Sequence, residues 1–165
     1  MGLYQLVIRL RREQPIEVGR LGRFAFPSGY YVYTGSARRG LESRIARHLR
    51  KEKRVRWHVD YLLVWARVVG VVRYREGSLS ECEHSRKVER LPGGNIVAPG
   101  FGSSDCRCYT HLFHFRRNPA QELDEQAFTF APTVSTGLCM TGGTIGRGRV
   151  RHQWPKRRST TARRR

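Results

Sequence analysis

A phosphate group can be handled by a tyrosine, an arginine and a histidine brought together from a strand and the helix after it. One stretch of this chain supplies all three. It runs from Gly29 to His48 and reads GYYVYTGSARRGLESRIARH. Its first half, Tyr30-Tyr31-Val32-Tyr33, has the aromatic and β-branched character of a buried strand and leads into Gly35-Ser36, which reads as a tight turn. Its second half has a helical period, with Leu41, Ile45 and Leu49 recurring every four residues. Arg44 and His48 share a face one turn apart, at the edge of that apolar stripe, where a cleft would open. A guanidinium fork matches two phosphate oxygens better than an ammonium does.

Three further groups could carry chemistry. Glu81 and Glu83 stand two apart at the start of a helical stretch, so they point to different faces and only one can enter a cleft. Either can instead serve a capping box, Ser78 with Glu81 or Ser80 with Glu83. His58 and Asp60 can line the same cleft, or form a helix cap and a structural hydrogen bond. The block Asp105-Cys106-Arg107-Cys108-Tyr109-Thr110-His111 offers three zinc-type ligands, Cys106, Cys108 and His111, with Cys82 as a fourth. One-residue cysteine spacing is not that of the usual zinc knuckle, so buried thiols beside a final strand are the preferred reading over Zn²⁺.

The elements that must position these residues form a small α+β pattern. Strands are expected at Leu3–Leu10, Ile16–Val18, Tyr30–Tyr33, Val68–Tyr74 (apolar enough to be central) and His111–Phe115. Helices are expected at 41–50, from Trp57 to Leu63, and from Ser78 to Leu91, the last stopped by Pro92-Gly93-Gly94. Beyond Arg117 the composition turns to Gly, Thr and Arg, and only Ala127-Phe128-Thr129-Phe130 looks able to pack. A folded domain over 2–117 and a largely disordered basic tail over 118–165 is the expected organisation.

The 165 residues carry 32 Lys+Arg against 13 Asp+Glu, a formal charge of +19. Residues 1–116 hold 22 basic and 10 acidic side chains (+12), and 117–165 hold 10 and 3 (+7), so the folded part is basic without its tail. That charge favours a polyanion, because basic side chains release the counterions condensed on nucleic acid. No apolar run reaches transmembrane length, which argues against a membrane partner. Four irregularly spaced cysteines without a secretory signal predict a cytoplasmic protein with reduced thiols. Nothing in the sequence points to a protein partner.

Gly2-Leu3-Tyr4 and Tyr33-Thr34-Gly35, each on a strand, resemble the paired signatures of the GIY-YIG nucleases, and Arg44 and His48 resemble that superfamily's arginine-bearing helix. One poorly characterised branch has a pattern similar to YVYTGSA, RHLR, WHVDYLL, ECE and GFGSSDCRCYTHLFHF as they stand here, in order over roughly residues 2–116. The resemblance implies a small three-stranded antiparallel central sheet flanked by helices. It also implies metal-dependent hydrolysis of phosphodiester bonds in DNA, using Mg²⁺ or Mn²⁺. By position it makes Tyr4, Tyr33, Arg44 and His48 the catalytic residues and Glu81 the metal ligand. Here His84 follows Glu81 by three, where the superfamily usually has an apolar residue. Two other functions are open from the sequence: a non-catalytic nucleic-acid-binding module that keeps the fold, and an RNA binder driven by the arginine-rich tail.

Overall fold

A computed structural model describes residues 2–74, 79–123 and 128–130. Its centre is β1 (Gly2–Leu10), buried almost throughout, with Tyr4, Leu6, Ile8 and Leu10 on one face and Gln5 and Arg9 interrupting the other. β4 (Gly29–Ala37) pairs antiparallel along one side of β1 over its whole length, and β5 (Arg67–Tyr74) pairs along the other. β6 (Leu112–Phe115) then covers the free edge of β4, and β7 (Phe128–Phe130) that of β5. The result is a five-stranded antiparallel sheet in the order β6-β4-β1-β5-β7, with β2 (Gln14–Glu17) and β3 (Arg23–Phe26) as a separate hairpin. The α+β class and antiparallel sheet agree with expectation, but the sheet has five strands rather than three. The expected strand at 111–115 and the Phe128-Thr129-Phe130 segment are its outer members. They satisfy backbone groups that a three-stranded sheet would leave open at both edges. The middle position belongs to β1, not β5.

Strand alternation sends the two faces into separate cores. Tyr4, Leu6, Ile8 and Leu10 pack with Tyr31 and Tyr33 of β4, with Ile45 of α1 (Leu41–Leu49), and with Val59 and Leu62 of α2 (His58–Leu63). Leu3 and Val7 pack with Val32, Val72 and Val88, the last on α3 (Glu81–Glu89). On α1 the buried positions are Ile45 and His48, whereas Leu49 is 41% exposed. The helix therefore turns its histidine inward, where the apolar stripe alone would place leucine.

β7 lies beyond the expected domain end at 117, and Leu123 is buried in the second core. The basic tail, expected to be disordered, lies outside the described residues from 131 onward, as does Ser78 with its alternative cap.

Gly35 is not in a turn: β4 continues through it to Ala37, and it pairs with Tyr4. A Cβ at Gly35 would stand 2.6 Å from the Tyr4 hydroxyl and 2.7 Å from Cζ, so the missing side chain is what lets that ring lie across β4. Gly35→Ala forces the buried ring out of place. It should lower stability by about 1–3 kcal/mol, as overpacked cores do, read as a fall in Tm of several degrees with a changed near-ultraviolet tyrosine signal.

Candidate functional site

Four elements each deliver one expected side chain to a single cleft of about 320 Å³: Tyr33 from β4, Arg44 from α1, His58 from α2 and Glu81 from α3. Ser36, Arg56, Trp57, Gly102, Ser104 and Asp105 complete its walls. Arg44 is held from two sides. Its Nη1 donates to the Ser36 carbonyl at 2.7 Å, and its guanidinium lies 4.8 Å from the Trp57 ring centre. Arg47 and Arg56 also stack on Trp57, at 4.1 and 5.5 Å. The indole thus gathers three cations and aims two of them, Arg44 and Arg56, at the cleft.

The GFGSSD segment forms the opposite support. Gly102 has φ +76, and a Cβ there would meet the Tyr33 ring at 2.8 Å, so only glycine lets the loop approach the tyrosine this closely. Its backbone N–H donates to His58 Nδ1 at 3.0 Å. That bond leaves the imidazole proton on Nε2, and burial lowers the His58 pKa, so this ring is a neutral donor at pH 7.

Behind the cleft lies a buried polar chain. The Tyr4 hydroxyl and His48 Nε2 are hydrogen-bonded at 2.8 Å, with Nε2 the acceptor in the tautomer that keeps its proton on Nδ1, toward Asp60. His48 Nδ1 lies 3.8 Å from Asp60 Oδ1, beyond hydrogen-bond reach. Asp60 is fully buried, takes a two-pronged bond from Arg47 (3.1 and 3.0 Å), and accepts the backbone N–H groups of Arg56 and Trp57 at the start of α2. Burial alone would raise its pKa, but the His48 ring, the Arg47 fork and these backbone donors hold it well below the usual carboxylate range. Burial also lowers the His48 pKa, against the pull of Asp60. Both tyrosines are pushed well above 10, mainly by burial. The charge of Arg44 pulls Tyr4 back, while the neighbouring Tyr4 raises Tyr33 further.

The family model described as "Domain of unknown function DUF123" matches residues 3–131. The chain belongs to the DUF123 family. No curated protein and no solved structure matches it.

In this DUF123 domain the expected site residues divide by position. Tyr33, Arg44, His58 and Glu81 share the cleft, and Tyr4, His48 and Asp60 form the layer behind it. Asp60 therefore does not line the cleft: it caps α2, which was the alternative reading. Glu83 is turned away, because its carboxylate accepts the Ser80 backbone N–H (2.8 Å) and hydroxyl (2.6 Å) in the capping box of α3. That commitment leaves Glu81, one position before Cys82, as the α3 carboxylate in the cleft. Arg47, which looks from sequence like a solvated helix residue, is the main counter-charge of Asp60. Neither its role nor that of Trp57 was legible, since both depend on the start of α2 folding back beside Arg47. Asp105 was visible in the GFGSSDC block but had no assigned place.

Cys82, Cys106, Cys108 and His111 also converge, with one ligand-type atom of each lying within 4.8 Å of the others. Cys106 Sγ is 3.5 Å from His111 Nε2, and His111 Nδ1 is 2.9 Å from Glu81 Oε1. The three cysteines are free thiols. The thiols expected to be buried beside the strand are half-buried, and with His111 they form a group able to hold a metal ion.

The buried layer makes stability pH-dependent. The folded-state pKa of Asp60 is depressed, so its stabilisation is complete above about pH 5 and is lost as pH falls below the unfolded value near 4. His48, also depressed, adds a loss from about pH 6.5 downward, because the unfolded chain takes up that proton first. Asp60→Asn should cost about 3 kcal/mol at pH 7, leaving Arg47 without its counter-charge. It should also flatten the fall of Tm between pH 5 and 3. A variant acid limb parallel to that of the unaltered protein would remove Asp60 from this role.

Proposed function

We propose that this DUF123 domain is a metal-dependent endonuclease that hydrolyses phosphodiester bonds in DNA. The reading rests on one observation above others: Tyr33, Arg44, His58 and Glu81, from four separate elements, meet in one cleft with Tyr4 directly behind it. The resemblance of Tyr4, Tyr33, Arg44 and His48 to the GIY-YIG pattern, and the charge of +19, support the same substrate.

Arg44 grips the scissile phosphate, its fork already oriented by Ser36 and Trp57. The protonated Tyr33 hydroxyl and His58 Nε2–H donate to phosphate oxygens. The attacking water loses its proton through Tyr4, which accepts it as its own proton passes to His48 Nε2. The imidazolium so formed faces Asp60, which is held ionised. As the water oxygen bonds to phosphorus, the bond from phosphorus to the leaving sugar oxygen breaks and that oxygen takes a proton from solvent in the cleft. The proton lost by water rests on His48 and returns to solvent after the products leave, so one water is consumed per bond cleaved. Glu81, with Asp105 lining the same cleft, fits a sparse Mg²⁺ or Mn²⁺ site completed by water and phosphate oxygens. Such a cation would neutralise charge developing on the phosphate.

A cleavage panel over labelled single-stranded, duplex, flap and junction DNA with Mg²⁺ or Mn²⁺ tests the proposal. Arg44→Ala should lower the rate about 10²–10³-fold, and Arg44→Ala with Glu81→Ala should abolish it. Glu83→Ala, which removes only a helix cap, should cleave normally. Cleavage unchanged in the double variant defeats the mechanism. DNA binding without cleavage under all conditions makes the protein a binding module instead. Deletion of residues 134–165 should weaken DNA binding and leave it measurable, whereas an RNA binder driven by its tail would lose binding altogether.

A further inference from the structure

We infer that Cys82, Cys106, Cys108 and His111 bind one structural Zn²⁺, and that Glu81 orients the histidine of that site. The ion is distinct from any cation in the cleft, and its existence does not depend on nuclease activity.

The donor set comes first. Three thiols and one imidazole are soft and borderline ligands that select zinc over magnesium or calcium, which take oxygen. Four protein ligands close a tetrahedral shell and leave no open position, as structural rather than catalytic zinc requires. Bonds of about 2.0–2.3 Å separate tetrahedral ligands by about 3.5–3.8 Å. The Cys106 to His111 separation of 3.5 Å already has that value, and the 4.8 Å limit on the set leaves an adjustment within reach of side-chain rotation.

The second observation is independent of the donor count. His111 is 1% exposed and presents Nε2 to the thiols, while Nδ1 meets the Glu81 carboxylate at 2.9 Å. A ligating histidine characteristically gives its other ring N–H to a carboxylate, which fixes the tautomer and strengthens the ligand. The ring is held in the orientation a metal bound at Nε2 would need. Cys82 is on α3, while the other three ligands lie in or next to the loop before β6. An ion there ties the start of α3 to that loop. It thereby holds Glu81, whose carboxylate is shared between the zinc ligand and the cleft.

Full-length protein expressed with zinc and purified without chelator should carry about one zinc per chain. X-ray absorption on the unaltered protein should show a sulfur-dominated shell near 2.3 Å with one nitrogen near 2.0 Å. Cobalt substitution should give thiolate-to-metal charge-transfer bands. Cys106→Ser with Cys108→Ser should lose the metal, while Cys139→Ser should retain it. Glu81→Ala should keep zinc but bind it about 10–100-fold more weakly in chelator competition. A metal-free protein with reactive thiols, or a shell of only nitrogen and oxygen, overturns the assignment even if the cysteine variants fail to fold. Undiminished zinc in the double cysteine variant overturns it equally. None of these readouts uses DNA cleavage, so failure here and failure of the nuclease reading are separable.

Discussion

A carboxylate with no exposure to solvent is costly unless its charge is met on every side, and Asp60 is such a group. Its partners come from the end of α1 (Arg47), from the connector after it (the Arg56 and Trp57 backbone), and, at 3.9 Å, from Lys53. Lys53 also ties back to α1 through the His48 carbonyl at 2.6 Å. Removing solvent from Asp60 is therefore possible only when α1, the connector and α2 adopt one arrangement. That arrangement puts His48 against Tyr4, and puts Trp57 under Arg44. The cleft's geometry is a consequence of satisfying one buried charge.

The same constraint explains what could be read from sequence and what could not. Most strands and helices were legible because alternation and helical period are local: 2–10, 41–49 and 81–89 were each signalled by a run of apolar residues or a cap, whereas β3 (Arg23–Phe26) was not expected. β6 was legible as a segment but not as a pairing, since it joins a strand far away in the chain, and β7 was not legible as a strand, its Phe-Thr-Phe run lying in a stretch expected to be largely disordered. Tyr33, Arg44 and Glu81 carried motif positions and could be named. Arg47 and Trp57 could not, because one stacked indole and one two-pronged ion pair are set by side chains that meet across the connector, which has no sequence signature. The choice between Glu81 and Glu83 was open until the cap was seen: a serine immediately before the helix claims the glutamate three residues on, and spacing alone allowed two serines.

Glycine placement shows a similar limit. Gly35 sits in a string that reads as a turn but runs straight through β4, and Gly102 turns the loop, yet each serves a tyrosine. Gly35 gives space over β4 for Tyr4, and Gly102 lets the loop close on Tyr33. The rings approach each other edge to face at 6.5 Å between centres. A sequence shows that glycine is present, but whether it bends the chain or admits a ring is decided by the register of the neighbouring strand.

The raised tyrosine pKa values bear directly on how water would be activated in the proposed hydrolysis. A phenol buried as Tyr4 is does not ionise at neutral pH on its own, so a resting tyrosinate is the wrong base to invoke. His48 offers a different route: burial keeps it neutral, its Nε2 is already hydrogen-bonded to the phenol, and its far side faces a carboxylate that stays ionised at any physiological pH. In that arrangement the tyrosine need never carry a full negative charge, because it gains one proton as it gives up another. The positive charge comes to rest on a ring beside Asp60, where the buried carboxylate offsets it. The feature that makes each tyrosine a poor base alone, its removal from water, is what makes proton transfer through Tyr4 to His48 the electrostatically consistent path.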